Sequence, residues 1–242
     1  MSADGATACC MRVESDKPAH NGGWMHPTGA PPREPTRLPP PPPVRLTGEE
    51  VHRKWRRWWL QDTDHDTLAA GLGVTGPSLM RLGLAWAWPH EAWAFPMFDA
   101  QGEPCGLRLR NEAGDKWALK GSRQGIFIAD AWIDPPADIV VVEGPTDAAA
   151  ALDLGLYAIG RPSCTGGGPE LATFCQRNGT KTLTICADND GPGMAGAMAL
   201  MASLRVKRRV VALPQKDVRA FVNAGGTADD FEQYAKESKW TT

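Results

Sequence analysis

Two acidic clusters, each directly after a short β-branched run, are the residues of this chain best suited to chemistry. Asp138-Ile-Val-Val-Val-Glu143-Gly144-Pro145-Thr146-Asp147 leads into an alanine-rich stretch, Ala148 to Leu154. Thr182-Leu-Thr-Ile-Cys-Ala-Asp188-Asn189-Asp190-Gly191 leads into a helix-like run, Met194 to Leu204. A strand that ends in a carboxylate, turns on glycine and enters a helix is an α/β unit with acid at its C-terminal edge. Open parallel sheets bind ligands at that edge. Two such units side by side would gather Glu143, Asp188 and Asp190 at one point, enough oxygen donors for Mg²⁺. That donor set suits phosphoryl transfer. Taken singly, a strand-end Glu or an Asp-Asn-Asp-Gly turn is ordinary loop chemistry; the pairing is what points to a site.

The elements that must position these acids follow from periodicity and punctuation. From Asp138 onward the pattern is parallel α/β, with strands at Asp138–Val142, Leu156–Gly160, Lys181–Ala187 and Arg208–Leu213. Helices alternate with them at Thr146–Leu154, Glu170–Asn178, Met194–Leu204 and Val218–Asn223, and Asp229–Lys239 reads as one more. Upstream, Ala94–Phe98, Gly106–Arg110, Lys116–Lys120 and Gly125–Ile128 are strand-like and separated by turn signals, which predicts an antiparallel meander. Bases alternate with apolar residues there, so Arg108, Arg110, Lys116 and Lys120 share one face, either solvated or phosphate-binding. Thr47 to Leu60 reads as a helix opened by a Thr47/Glu50 capping box, and its tract His52-Arg-Lys-Trp-Arg-Arg-Trp-Trp59 mixes bases with indoles. Residues 66–82 suggest two short helices, loosely a helix-turn-helix or a small packing subdomain.

The acidic motifs resemble those of the TOPRIM domain, the Mg²⁺-binding fold of primases, topoisomerases and some nucleases. Glu143-Gly144 with Asp147 matches its first motif and Asp188-x-Asp190 its second, over roughly residues 137–225. Glu143-Gly-Pro-Thr-Asp147, Gly160-Arg161-Pro162-Ser163…Thr165-Gly166-Gly167 and Lys216-Asp217-Val218-Arg219 look like the primase-type TOPRIM of phage and plasmid replication proteins. The upstream segment, Phe95-Pro-Met, Gly106–Arg110 and Lys116-Trp-Ala-Leu-Lys-Gly-Ser-Arg123, is similar to the basic segment that precedes TOPRIM in those primases.

The resemblance implies a Mg²⁺- (or Mn²⁺-) dependent nucleotidyltransferase that makes short RNA primers on single-stranded DNA from nucleoside triphosphates. Glu143, Asp188 and Asp190 would hold the metal. Asp147 would serve a second metal or a water, or else stabilise its helix N-terminus. Arg108, Arg110, Lys116, Lys120, Arg123, Arg161 and Lys216 are the candidate nucleotide and DNA contacts. An impaired DNA-binding accessory protein and a TOPRIM nuclease are the alternatives; only Tyr157 and Tyr234 are present, which disfavours topoisomerase chemistry.

Cys9-Cys10 and Gly22-Gly23-Trp24-Met25-His26 resemble the second half of a zinc ribbon whose first Cys-x-x-Cys pair is missing. Cys10 (or Cys9) with His26, even with His20 as a further candidate, falls short of the four ligands of a structural Zn²⁺. The expectation is a ribbon remnant over 1–30, without regular structure and without zinc, because the chain starts inside the ribbon. A polyproline linker follows over 31–46, then a basic subdomain over 47–136 and the TOPRIM domain over 137–242. The expected architecture is thus a four-stranded parallel sheet flanked by helices, preceded by a small α+β segment.

A net charge of −2 over 242 residues excludes a general polycation, so any nucleic-acid contact must be a local patch. No apolar run is long enough to span a membrane and none reads as a signal peptide, so a cytoplasmic protein is expected. No Walker A motif occurs, so a replicative helicase would be a separate partner.

Overall fold

The computed structural model describes residues 5–20, 22–29, 44–59, 64–131 and 133–241. They form two compact units, Met1–Pro43 and Val44–Thr242. The proline-rich linker expected over 31–46 lies outside the described residues apart from 44–46.

In the first unit, β1 (Thr7–Cys10) and β2 (Trp24–Pro27) pair antiparallel, with Ala8 opposite His26 and Cys10 opposite Trp24. This ribbon corrects the expectation of no regular structure over 1–30. Strand pairing needs only backbone groups and local ties, here Ser15 Oγ donating to the Met25 carbonyl at 2.8 Å and Met25 N–H to the Lys17 carbonyl. The pleat places Cys10 and His26 on one face of the ribbon and Cys9 on the other. A ring nitrogen of His26 lies 2.9 Å from the Val13 carbonyl oxygen.

The second unit opens with α1 (Gly48–Trp59), whose capping box forms as the sequence predicts. Thr47 N–H donates to the Glu50 carboxylate, and Glu50 N–H donates back to Thr47 Oγ1. Val51, Trp55 and Trp58, spaced for one helix face, pack onto an antiparallel sheet. That sheet runs β3 (Ala85–Ala87), β4 (Ala92–Phe98), β5 (Pro104–Arg110), β6 (Lys116–Ala118). Leu107 and Leu109 face α1, so the alternate residues Arg108 and Arg110 point from the opposite face, level with Phe95 and Trp93 of β4.

The meander differs from expectation at both ends. Its first strand, β3, was not expected. Its last, β7 (Phe127–Ile128), leaves it to pair antiparallel with β9 (Ala158–Arg161). The chain turns away at Lys120-Gly121, where Leu46 N–H donates to the Gly121 carbonyl. Phe98 and Ile126 then exchange both backbone hydrogen bonds and join the two sheets.

The second sheet therefore has five strands rather than four. Its order is β11 (Lys207–Ala212), β10 (Thr182–Ala187), β8 (Asp138–Glu143), β9, β7, parallel except for β7. Ile139 and Val141 pack against α5 (Gly168–Arg177) and α6 (Gly191–Ser203). Val140 and Val142 pack on the other face, against α4 (Pro145–Asp153) and α7 (Val218–Asn223). Burial of both faces explains why β8 reads as an unbroken apolar run. The last helix is α8 (Ala228–Glu237).

The short helices α2 (His65–Leu72) and α3 (Gly76–Arg81) pack into the core rather than stand free. Leu72, Leu79 and Leu82 are buried, and Thr75 and Ser78 donate to the Asp153 carboxylate at the end of α4.

Candidate functional site

From β8 the chain crosses through α4 to β9 on one side, then through α5 to β10 on the other side of β8. Between β8 and β10 the connections part, which makes their C-terminal ends the switch-point crevice of the sheet. Glu143 ends β8 and Asp188 follows β10 directly. Two glycines let the ends of β8 and β9 close up. Gly144 turns the chain into α4 with φ +89°, and a Cβ on Gly160 would stand 2.6 Å from the Gly144 carbonyl oxygen. Gly144 N–H bonds the Arg161 carbonyl, and Asn189 N–H bonds that of Lys216, so the end of β8 is tied to that of β9 and the end of β10 to the loop that follows β11.

A cavity of about 350 Å³ opens at this point. Glu143, Asp147, Asp188 and Asp217 bring carboxylates to it. Arg108 and Arg110 of β5, Lys116 of β6, Lys216 and Arg219 bring cations. Both sheets thus contribute: the acids, with Lys216 and Arg219, come from the parallel sheet and its loops, and Arg108, Arg110 and Lys116 from the antiparallel one. A wider cleft of about 530 Å³, beside Thr173, Gln176 and Arg205, is lined by no carboxylate.

The electrostatics record crowding of like charges. Burial pushes the Asp188 carboxyl up to about 6, and Glu143, Asp217 and Asp190 push the same way. Asp147 is 8 % exposed and is pushed up to about 7, first by burial, then by Asp217, against the Arg219 N–H that its Oδ1 accepts at 3.1 Å. Asp217 accepts from Ala220 N–H at 2.7 Å and caps α7. Burial, then the neighbouring Arg219, lowers the pKa of Arg110; burial, then Arg110, lowers that of Lys116. Arg219 Nε is buried with no hydrogen-bond partner among the described residues, an unmet donor in a side chain that lines the cavity.

The other expected contacts lie elsewhere. Asp190 is exposed and caps α6, accepting from Gly193 N–H at 2.8 Å, although its charge reaches Asp188. Lys120 is exposed in the turn beyond β6, which ends at Ala118. Arg123 pairs with Asp99 at 3.3 Å. Arg161, 6 % exposed, donates to the Gly166 and Cys164 carbonyls and shapes the glycine loop. Arg161→Ala would remove a buried side chain and orphan two partly buried acceptors, and should destabilise the fold by about 1–3 kcal/mol in urea unfolding; a loss under about 0.5 kcal/mol would contradict this structural role.

Asp217 and Arg219 complete the cavity although sequence reasoning assigned neither to it. A signal for Asp217 was present: it is a third acid between a strand end and a helix start. Arg219 ends the Lys216-Asp217-Val218-Arg219 run matched to primases, but nothing local gave it a role, since only the turn of α7 carries it to the cavity. Among the described residues, no group of three or more His, Cys, Asp or Glu side chains stands ready-made to hold a metal ion, in the β1–β2 ribbon or at the sheet edge.

The chain matches no protein-family model and no curated protein in sequence. Its similarity to solved structures is extensive. A primase domain from Pseudomonas aeruginosa superposes with a TM-score of 0.60 at 16 % identity, covering 78 % of each chain. A DnaG primase catalytic domain bound to single-stranded DNA gives 0.60 at 15 % identity, covering 76 % of this chain and 75 % of the other. The fold is that of a DNA primase catalytic core. The primase fragment of the bacteriophage T7 primase-helicase protein shares this core fold, at a TM-score of 0.54 and 16 % identity over 83 % of each chain. The unit Val44–Thr242 joins a parallel-rich sheet to a strand-rich segment that precedes it in the chain. No helix among the described residues is long and apolar enough to cross a membrane.

Proposed function

We propose that this protein is a metal-dependent nucleotidyltransferase that makes short RNA primers on single-stranded DNA. One observation carries the reading: carboxylates at the switch point of a primase-core sheet share a cavity with the basic face of the preceding sheet. The donor set fits a hard divalent cation. Its donors are all carboxylate oxygens, and burial and mutual repulsion raise Asp188 and Asp147, as expected where a cation supplies the missing charge. Glu143 and Asp188 would hold Mg²⁺ or Mn²⁺ by rotating together, with Asp190 or Asp217 completing the set and Asp147 supporting it. Held there, the ion would supply a lowered pKa for an attacking hydroxyl and charge neutralisation at the transferred phosphate.

The chain's own groups do the positioning. Arg108, Arg110 and Lys116 form a cationic wall facing the carboxylates and would fix the phosphates of template or incoming nucleotide. Lys216 and Arg219 would meet phosphate oxygens from the opposite rim, Arg219 through its unmet Nε donor. Arg108 is held in place by its contact with the Pro162 carbonyl at 3.3 Å. A separate helicase as partner and the phage or plasmid setting belong to the same proposal.

The test is incorporation of labelled nucleotides on mixed single-stranded DNA with Mg²⁺ or Mn²⁺. Short products that disappear with Glu143→Gln are expected. DNA binding without products in either protein would favour the non-polymerising accessory reading, and cleavage without synthesis would identify a nuclease.

A further inference from the structure

The tryptophan- and arginine-rich helix α1 has a role that the cavity does not absorb. Val51, Trp55 and Trp58 occupy its inward face, and Trp55 donates its indole N–H to the Gly83 carbonyl at 2.7 Å. These indoles are structural anchors. The outward face carries Arg53, Lys54, Arg56 and Arg57, all exposed, with Trp59 43 % exposed at its end. Among the described residues none of the four cations is in an ion pair. The two acids of the helix lie in its first turn, where Glu50 is engaged by Thr47.

We propose that the outward face of α1 is a second binding surface for single-stranded nucleic acid, on the side of the β3–β6 sheet opposite the cavity. Four cations on two turns of helix, in a chain of net charge −2, form a local field that complements a phosphodiester backbone. Trp59 adds an exposed π-face for stacking a base beside that track, the combination by which single strands are held without sequence preference. A basic helix with indoles also suits an anionic lipid surface, but there the apolar face must enter the lipid, and here the sheet covers it. The surface would hold the strand outside the site, and it does not depend on the cavity being a polymerase.

The experiment is fluorescence anisotropy of labelled single-stranded DNA, single-stranded RNA and duplex DNA with the full chain, over a range of salt concentrations. It compares the native protein with an R53A/R56A/R57A variant and with W59A, each checked for an unchanged melting temperature. Removing three cations should make the dependence of log K on log salt shallower by about two. W59A should weaken single-strand binding about tenfold at unchanged salt slope. Unchanged affinity and slope in both variants would overturn the proposal. So would duplex bound as tightly as single strands, or anionic-vesicle binding that the triple variant loses while oligonucleotide binding persists. Because primer synthesis is not the readout, a chain that polymerises nothing still tests this surface, and loss of synthesis in E143Q leaves it standing.

Discussion

Asp188→Ala is expected to reduce nucleotide incorporation about a thousandfold or more, with no loss of fold stability. Asp188 stands where β10 meets the switch point and shares the cavity with Glu143. If these two hold the cation, the variant loses several kcal/mol of transition-state charge stabilisation, and each 1.36 kcal/mol is about tenfold in rate. The stability half of the expectation separates site loss from misfolding. Burial and the charges of Glu143, Asp217 and Asp190 already hold the Asp188 carboxyl up at about 6, so its ionised form opposes folding at neutral pH. Removing it relieves repulsion. Incorporation within about tenfold of the native protein, with added Mg²⁺ unable to widen the gap, would remove Asp188 from the metal site. A melting temperature well below the native one would contradict the electrostatic account.

Asp147→Asn should stabilise the protein at alkaline pH in the presence of a chelator. Burial, then the charge of Asp217, pushes the folded Asp147 carboxyl up to about 7 from its ordinary 3.8. Between those values the folded chain keeps a proton that the unfolded chain has released, so stability falls as pH rises through the window. The upper bound is about 4 kcal/mol at pH 8, given 1.36 kcal/mol per pKa unit. Asparagine keeps an oxygen that can accept the Arg219 N–H and removes the charge that Asp217 and Asp188 oppose. The variant is expected to melt about 5 °C or more above the native protein at pH 8, with the difference fading toward pH 4. A difference that does not vary with pH would show that Asp147 titrates normally. The same substitution should impair incorporation, so stability and activity move in opposite directions, as expected for a charge retained for function.

Much of the sheet was legible because its signals are local. The run Ile139 to Val142 is buried on both faces, and a strand of that kind must be apolar at every position. Glu143-Gly144-Pro145 and Asp190-Gly191-Pro192 mark strand-to-helix turns, since glycine frees the turn and proline suits a first helical position. The Thr47/Glu50 capping box opened α1 as expected. Other features carried no local mark. Ala85–Ala87 is too short and small to announce a strand, and it forms because β4 offers an edge. Phe127–Ile128 reads as one more meander strand, yet its partner is β9, more than thirty residues further along.

The site divides in the same way. Residue types and spacing by themselves determined that Glu143 and Asp188 stand at strand ends, and that Arg108, Arg110 and Lys116 share one sheet face. Only the tertiary structure decided which of the remaining charges join them. Arg161 and Arg123 are cations in the right motif, but carbonyls of the glycine loop hold the first and Asp99 holds the second. Lys120 fell out when β6 ended two residues early, while Asp217 and Arg219 entered because α7 packs against α4. The physical reason is one of range. Strand period, turn chemistry and capping act over a few neighbouring residues and can be read along the chain. Whether a charge meets a ligand or a carbonyl depends on contacts between segments distant in sequence, which only packing of the two sheets settles.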